Sequence, residues 1–546
     1  MLSARDRNAI LDVLHAAPII NEVQAWLDRR PGPTPSISVA LAMFTIIVST
    51  ATNSSSAVRL DKCAGILRNA AHATGLPLPK GIDLDRIDDL PPAQAKLERR
   101  KVYRRLRRTL KAIARWGRQS TDGVSNLQRL NFALCSASTP EHARTYNSYA
   151  IDSAGVQAAY KYAYGVEKLT DHLYQATRRR RTYNTDDGDT IVKDGFGFGI
   201  HATLRFDPLQ PDTVYIAAVT LTPGSTSEIN VALEHLQFER DHINPIGNLF
   251  IADRAYTQSP RIHQHLRSIH ADPVMDLKAT QGGPTRTTSG IWAIGGGAYD
   301  PATPPQLRNY PRRKQHENIN TYLEQREAAL GQYRLPHHTP PDIHGTHRYQ
   351  GNCERKGADC PLRPIAARPN GPIYTHIPTD GHQLPLCQGS TVTLTPDDYD
   401  HPTTDGTSTI HNYQAFPYGT YEHAAVYHTA RNHTEAILGT LTEHHGLWGG
   451  RHGFKIHRFD ILQLFAIAAG VARNLVSRGY FPPEHGTDNC RDDTVLIVPE
   501  QHRQALHRTL TRRARQRADF DPDTCPHHSH QPTRPISTHG TDPPVG

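Results

Sequence analysis

Two aspartates and a glutamate stand where their types and spacing could do chemistry. Asp152 closes the apolar run of YAIDSAG, Asp253 closes that of NLFIADRAY, and Glu435 lies within AVYHTARNHTEAILGTLTEHHG. Three carboxylates in one cleft repel one another as bare charges and are relieved by divalent cations, for which they are hard oxygen donors. Two such ions about 3.5 to 4 Å apart clamp the attacking and leaving oxygens of an in-line phosphoryl displacement. Each acid alone has a plainer role: Asp152 or Asp253 can cap the turn that follows it, and Glu435 can pair with Arg431 at i,i+4. Tyr427, Arg431 and Glu435, at i, i+4 and i+8, fall on nearly one face of a helix.

Such carboxylates need a sheet and a helix to hold them. The residue pattern predicts strands over 149–152, 196–206, 214–221 and 249–253, the last after a helix over 228–240, with a fifth strand at 272–277. Strands followed by a helix and another strand imply an α/β sheet, in which acids at the carboxyl ends of strands converge on one cleft. Helical periodicity returns over 427–446 and again over 459–476, apolar enough to pack on the sheet. The intervening residues 281–420 are rich in Gly, Pro, Thr and His, with one helical island over 318–333, and read as a β/loop-rich insertion. Gly295-Gly296-Gly297 has no Gly-Lys-Ser/Thr after it and reads as a turn. Asp186, Asp187, Asp189 and Asp194 compete with Asp152 for the first carboxylate, but their polar setting favours a solvated loop. The run Arg178 to Arg181 before them suits a phosphate contact.

The chain has 546 residues and a formal charge of +8, from 61 Lys and Arg against 53 Asp and Glu. Residues 96–118 alone hold eleven basic side chains against the single acid Glu98, a local +10 that leaves the remainder at −2. Val102, Leu106, Leu110 and Ile113 form one apolar stripe, and Arg104, Arg105, Arg107, Arg108 and Lys111 belong to a broad cationic face. Like charges at i,i+4 repel, so this face suits a polyanion; the narrow stripe favours double-stranded DNA over a membrane surface. Residues 1–125 are therefore expected to be a helical DNA-binding domain, with Thr34-Pro35 starting the helix of the apolar run from Val39. Residues 481–546, heavy in Pro, His, Arg and Asp, are expected to be a disordered tail.

The longest apolar run, Val39 to Val48, falls short of the roughly 20 residues of a membrane span, and the N-terminus lacks the order of a secretory signal. Seven scattered cysteines argue against a disulfide scaffold, so a cytoplasmic setting is expected. Cys353, Cys360 and Cys387, with His376 and His382 nearby, invite a zinc site but lack the tight Cys-x2-4-Cys knuckle. The 33 histidines read as compositional bias.

YAIDSAG, FIADRAY and the RNHTE helix resemble the DDE transposases of bacterial insertion sequences, especially the group with a β-rich insertion between the second Asp and the Glu. GFGFGIHATL is similar to that family's second strand, and LTPGSTSEINVALEHL to its third strand and first helix. The resemblance covers roughly 140–280 and 421–480. It implies an α/β, ribonuclease-H-like catalytic core split by 281–420, in which Asp152, Asp253 and Glu435 hold two Mg²⁺ or Mn²⁺ ions. It further implies that Arg254, Tyr256, Tyr427 and Arg431 serve DNA binding, that element ends are cut and joined to target DNA, and that a homodimer or larger synaptic assembly forms. Two departures stand out: three residues separate Tyr427 from Arg431 where the family has two, and Thr442 stands where the family has Lys. His444, His445, Arg451 or Lys455 could replace that Lys. A catalytically decayed DNA-binding relative, or a metal-dependent nuclease on the same core, are the alternatives.

Overall fold

The computed structural model describes residues 3–31, 35–52, 89–157, 177–184, 190–223, 226–277, 283–339, 344–351, 391–399, 413–445, 458–481 and 496–520, apart from a few positions within these stretches. The chain opens with helices α1 (Ala4–Ala16), α2 (Ile19–Asp28), α3 (Val39–Ala51), α4 (Pro92–Gly117) and α5 (Asn126–Ser138). Ser38, not Thr34, caps α3: its backbone is extended and its hydroxyl accepts from Leu41 N at 3.2 Å, which starts the helix at Val39. α4 has Pro92 in its first turn, where the missing N–H costs nothing. Val102, Leu106, Leu110 and Ile113 are fully buried along it, and Arg104, Arg107 and Arg108 are exposed.

The main sheet is built from β1 (Ser148–Gln157), β2 (Thr177–Asn184), β3 (Thr190–Asp207), β4 (Gln210–Pro223), β5 (Leu249–Ala252) and β6 (Asp272–Met275), with α6 (Glu228–His242) between β4 and β5 and α7 (Pro260–Ser268) between β5 and β6. β4, β3 and β1 pair antiparallel in that order, β5 joins β1 parallel, and β6 joins β5 parallel; β2 pairs with the first part of β3. The fold is thus mixed α/β. Asp194 lies in β3, paired with Arg180, and not in a loop, because the ladder extends the strand back to Thr190.

Alternation along the strands sends side chains to two cores. Ala150, Leu249, Ile251 and Val274 enter the large core beneath α9 (Tyr421–Glu443) and α10 (Phe459–Ser477), whereas Tyr149, Ile151, Phe250, Ala252 and Met275 pack with α6 and α7. The large core also takes in Ile10, Phe44, Leu106 and Trp116, so the N-terminal helices share one apolar interior with the sheet. α10 is the one described helix long and apolar enough to cross a bilayer, a length the sequence did not lead us to expect. Its apolar window is 83% buried, packed on β4 and α3 as a core helix.

Among the described residues no strand lies on the outer side of β4 over Ile216 to Leu221; amide side chains take that place. Asn474 of α10 accepts from Ile216 N at 2.7 Å and donates to Ile216 O at 2.9 Å. Gln463 accepts from Leu221 N at 2.6 Å and donates to Val219 O at 3.0 Å, and Asn131 of α5 accepts from Val219 N at 3.1 Å. Asn474→Leu strips the buried Ile216 N–H and C=O of partners and is expected to lower stability by about 2 kcal/mol, read from the urea midpoint.

Residues 281–420 hold two small antiparallel sheets. The first is β7 (Thr285–Arg286), β8 (Trp292–Ile294) and β9 (Gly297–Tyr299); Gly295 and Gly296, at φ +56° and +86°, make the tight β8–β9 turn that L side chains would strain. The second is β10 (His337–Thr339), β11 (His347–Gln350) and β12 (Thr391–Leu394), and α8 (Ile319–Leu330) lies between the sheets in sequence. Cys353, Cys360, Cys387, His376 and His382 fall outside the described residues, as do Asp186, Asp187 and Asp189.

The expected disordered tail is corrected over 500–518, which form α11 (Glu500–Ala518). Its inward face is polar: Arg513 Nε donates to Asn248 Oδ1 at 3.2 Å and its Nη2 meets Asp272, while Arg517 donates to Gly247 O at 2.8 Å and His270 O at 2.9 Å. Burial of these guanidinium groups is made tolerable by that set of acceptors.

Candidate functional site

The β1–β5 register pairs Ile151 with Ala252, so the next residues, Asp152 and Asp253, lie side by side where the parallel pairing stops; β5 ends there, whereas β1 runs on to Gln157 against β3, which puts Asp152 in mid-strand and not at the strand end expected. The β5–β6 register pairs Ala252 with Met275 and brings Asp276 next to Asp253. All three share the parity of Ala150, Ile251 and Val274, which points them to the α9 side. Asp276 was missed in the sequence; its signal was the same as that of Asp253, an aspartate directly after a short apolar strand.

α9 lays Tyr427, Arg431 and Glu435 over these strand ends. Arg431 lies between two carboxylates: Nη1 is 2.7 Å from Asp152 Oδ2 and Nη2 is 2.9 Å from Glu435 Oε1. The Asp152 contact is an ion pair whose N–H is not well aimed at the oxygen, so it is held by charge more than by direction. Burial raises the Asp152 pKa to about 6; Arg431 opposes the rise and the charge of Asp253 adds to it. Burial also disfavours the Arg431 cation, but Asp152, Tyr427 and Glu435 outweigh it and raise its pKa, so it stays charged. Asp253 Oδ1 accepts from Ala255 N at 2.8 Å, which fixes the turn into Arg254.

The expected DNA-contact residues divide sharply. Arg104, Arg107 and Arg108 of α4 are exposed, and Arg105 and Lys111 are half-buried. Arg254 is exposed, its Nε 3.8 Å from Asp276. Tyr256 and Tyr427 are both buried, Tyr256 beneath the Asp253 turn and Tyr427 stacked on His423 with ring centroids 5.5 Å apart. Arg431 is committed to its two carboxylates. Of the replacements for the missing Lys, His445 is buried with Nδ1 3.0 Å from Thr50 O, and His444, Arg451 and Lys455 lie outside the described residues.

Asp152 and Asp253 suit a hard divalent cation. They are neighbouring oxygen donors, and the charge of one burdens the other in a buried setting that a cation would relieve. Glu435 is on the far side of Arg431, and among the described residues no three His, Cys, Asp or Glu stand close enough to hold one ion.

No family model, curated protein or solved structure matches the chain.

Proposed function

We propose that the protein is a DNA transposase that binds the ends of a mobile element, cuts a strand there and transfers it to target DNA. The observation that carries this is the side-by-side placement of Asp152 and Asp253 where the parallel pairing of β1 and β5 stops, under a helix that brings Arg431 and Glu435 over them. The strand order β4-β3-β1-β5-β6, three antiparallel strands followed by two parallel ones, supports a ribonuclease-H-like core split by residues 281–420. A pair of bound Mg²⁺ or Mn²⁺ ions would supply charge stabilisation and a deprotonated water for phosphodiester displacement. The chain's own part is to hold Asp152 and Asp253 rigidly on the sheet and to keep Glu435 in reserve behind Arg431. Double-stranded DNA, a synaptic dimer and a cytoplasmic place beside the chromosome accompany this function. The test is Mg²⁺-dependent cleavage and joining of duplex DNA carrying the inverted repeats that flank the coding sequence; cutting without joining would make the protein a nuclease.

The placement of Arg431 between Asp152 and Glu435 favours a second function, DNA binding without catalysis. It would give end binding with steep salt dependence and no cutting at any divalent cation concentration.

Both functions need α4. Replacing Arg104, Arg107 and Arg108 by Gln is expected to weaken duplex binding and to flatten the slope of log K against log salt by about 0.9 for each phosphate no longer neutralised. Fluorescence anisotropy across a salt series reads both; an unchanged slope would take α4 out of the interface.

A further inference from the structure

We propose that the outer face of α11 is a second binding surface for double-stranded DNA, separate from α4; it rests on the DNA-binding function above. Of the arginines of α11, Arg513 and Arg517 are buried in the anchor already described, and Arg503 donates to Val498 O at 3.1 Å and lies 3.5 Å from Glu500. Arg508, Arg512 and Arg515 are exposed, and none of them pairs with a carboxylate among the described residues. At about 100° per residue these three fall within an arc of about 60°, opposite Leu510, Arg513 and Arg517.

The stripe runs at i, i+4 and i+7 over about 10 Å of helix. That length matches about three phosphates of one strand, which are roughly 3.4 Å apart along the duplex axis. Solvent alone is a poor explanation. Three like charges on one face repel, and the acids nearest in sequence, Glu500 and Asp519, stand at or beyond the helix ends. A lipid surface is disfavoured because Leu506 and Leu510 turn inward to the large core and leave nothing apolar beside the arginines.

Rigidity separates this face from a basic tail. Arg513 and Arg517 lock α11 to the residues preceding β5 and β6, through Gly247, Asn248, His270 and Asp272. Glu422 at the start of α9 holds the other end through His502 Nδ1 at 2.9 Å, and the Tyr421 and His502 rings lie 4.6 Å apart. The arginines are therefore presented at fixed positions and lose little freedom on binding. α4 packs against α10, which covers β4 at one edge of the sheet, whereas α11 is fixed at the β5–β6 side. The two basic helices are thus fixed to different borders of the sheet, so a duplex held by one leaves the other for a different stretch of DNA.

The experiment uses the full chain and a fluorescein-labelled random-sequence duplex, with anisotropy titrations at several salt concentrations. The variant R508Q/R512Q/R515Q is expected to bind at least about tenfold more weakly at low salt, with a slope shallower by about 2 to 3. R508K/R512K/R515K should restore most of the affinity, because phosphate contacts need charge more than a guanidinium fork. Unchanged affinity and slope in R508Q/R512Q/R515Q, with weakened binding in the α4 variant, would overturn this proposal and leave the DNA-binding function standing. Absence of duplex binding by the wild type would overturn both. Wild-type binding to phosphatidylserine vesicles that is abolished in R508Q/R512Q/R515Q, with duplex binding intact, would assign the face to lipid and overturn the proposal.

Discussion

Asp152→Asn is expected to lower metal-dependent strand cleavage by at least about 10³-fold, the scale of removing one electrostatic stabiliser of the transition state. Duplex affinity should stay within about twofold, since Asp152 is buried beneath Arg431 and the exposed cations of α4 are untouched. Asparagine keeps the volume and one oxygen of the side chain but removes the charge that a divalent cation needs. It leaves Arg431 still paired with Glu435, so the variant should fold. Cleavage at the wild-type rate would mean that the Asp152–Asp253 pair does not carry the reaction. Loss of cleavage together with loss of binding would point to misfolding, which circular dichroism of the same sample distinguishes.

Acid should destabilise the protein well above the usual carboxylate range. His235, His347 and His423 are buried, and burial is the main cause that lowers each pKa from 6.5 to about 3. Unfolded, each takes up a proton once the pH falls below about 6.5; folded, each stays neutral until far lower. Their contribution to stability is thus complete above 6.5 and is lost as the pH falls from there toward 3. Between pH 7.5 and 5.5 three such groups together cost about 4 kcal/mol, a large share of a typical margin of 5 to 15. Asp152 and Glu239 work the other way at the lower end, because burial raises both and the folded state then holds the protons. Urea unfolding at pH 7.5 and 5.5 measures the difference. In His235→Gln, which gives up the ring's hydrogen bonds to Thr203 and Thr220 at 2.7 and 2.8 Å, roughly a fifth of the histidines' pH dependence should vanish, because His265 and His337, lowered to about 4 by burial, contribute over the same range. Equal stability at the two pH values would show that these rings are protonated in the fold.

The histidines also show where a sequence misleads. Their number looks like compositional bias, yet His235 bridges β3 and β4 from α6, and no local pattern marks it. The sheet was legible in part, from apolar runs between turns; β1, β3 and β4 extend to 10, 18 and 14 residues, beyond those runs, and β2 was not anticipated, so Asp152 falls inside its strand and only Asp253 directly follows the end of its own. Glu435 was placed correctly on a helix, but the sequence could not show that Arg431 inserts toward Asp152, since that ion pair joins residues far apart in the chain. Tyr256 and Tyr427 look like surface aromatics beside charges; depth in the core is a tertiary property. α11 was hidden for a similar reason. Its buried face carries His502, Arg513 and Arg517 with Leu510, so its pattern resembles that of a solvated segment until Asp272 and the carbonyls of Gly247 and His270 are in place.

The amide side chains along β4 bear on how two copies can meet. Asn131, Gln463 and Asn474 occupy the hydrogen-bonding groups of Ile216, Val219 and Leu221. On the far side of the sheet Gln414 accepts from Met275 N at 2.8 Å, and Ala415 N donates to Pro273 O at 2.8 Å. Neither border therefore offers a free ladder to a neighbouring chain, and a continuous sheet across two subunits at β4 or β6 would require these amides to be expelled. Under the proposed function, two copies paired on DNA would meet through surfaces other than these two borders.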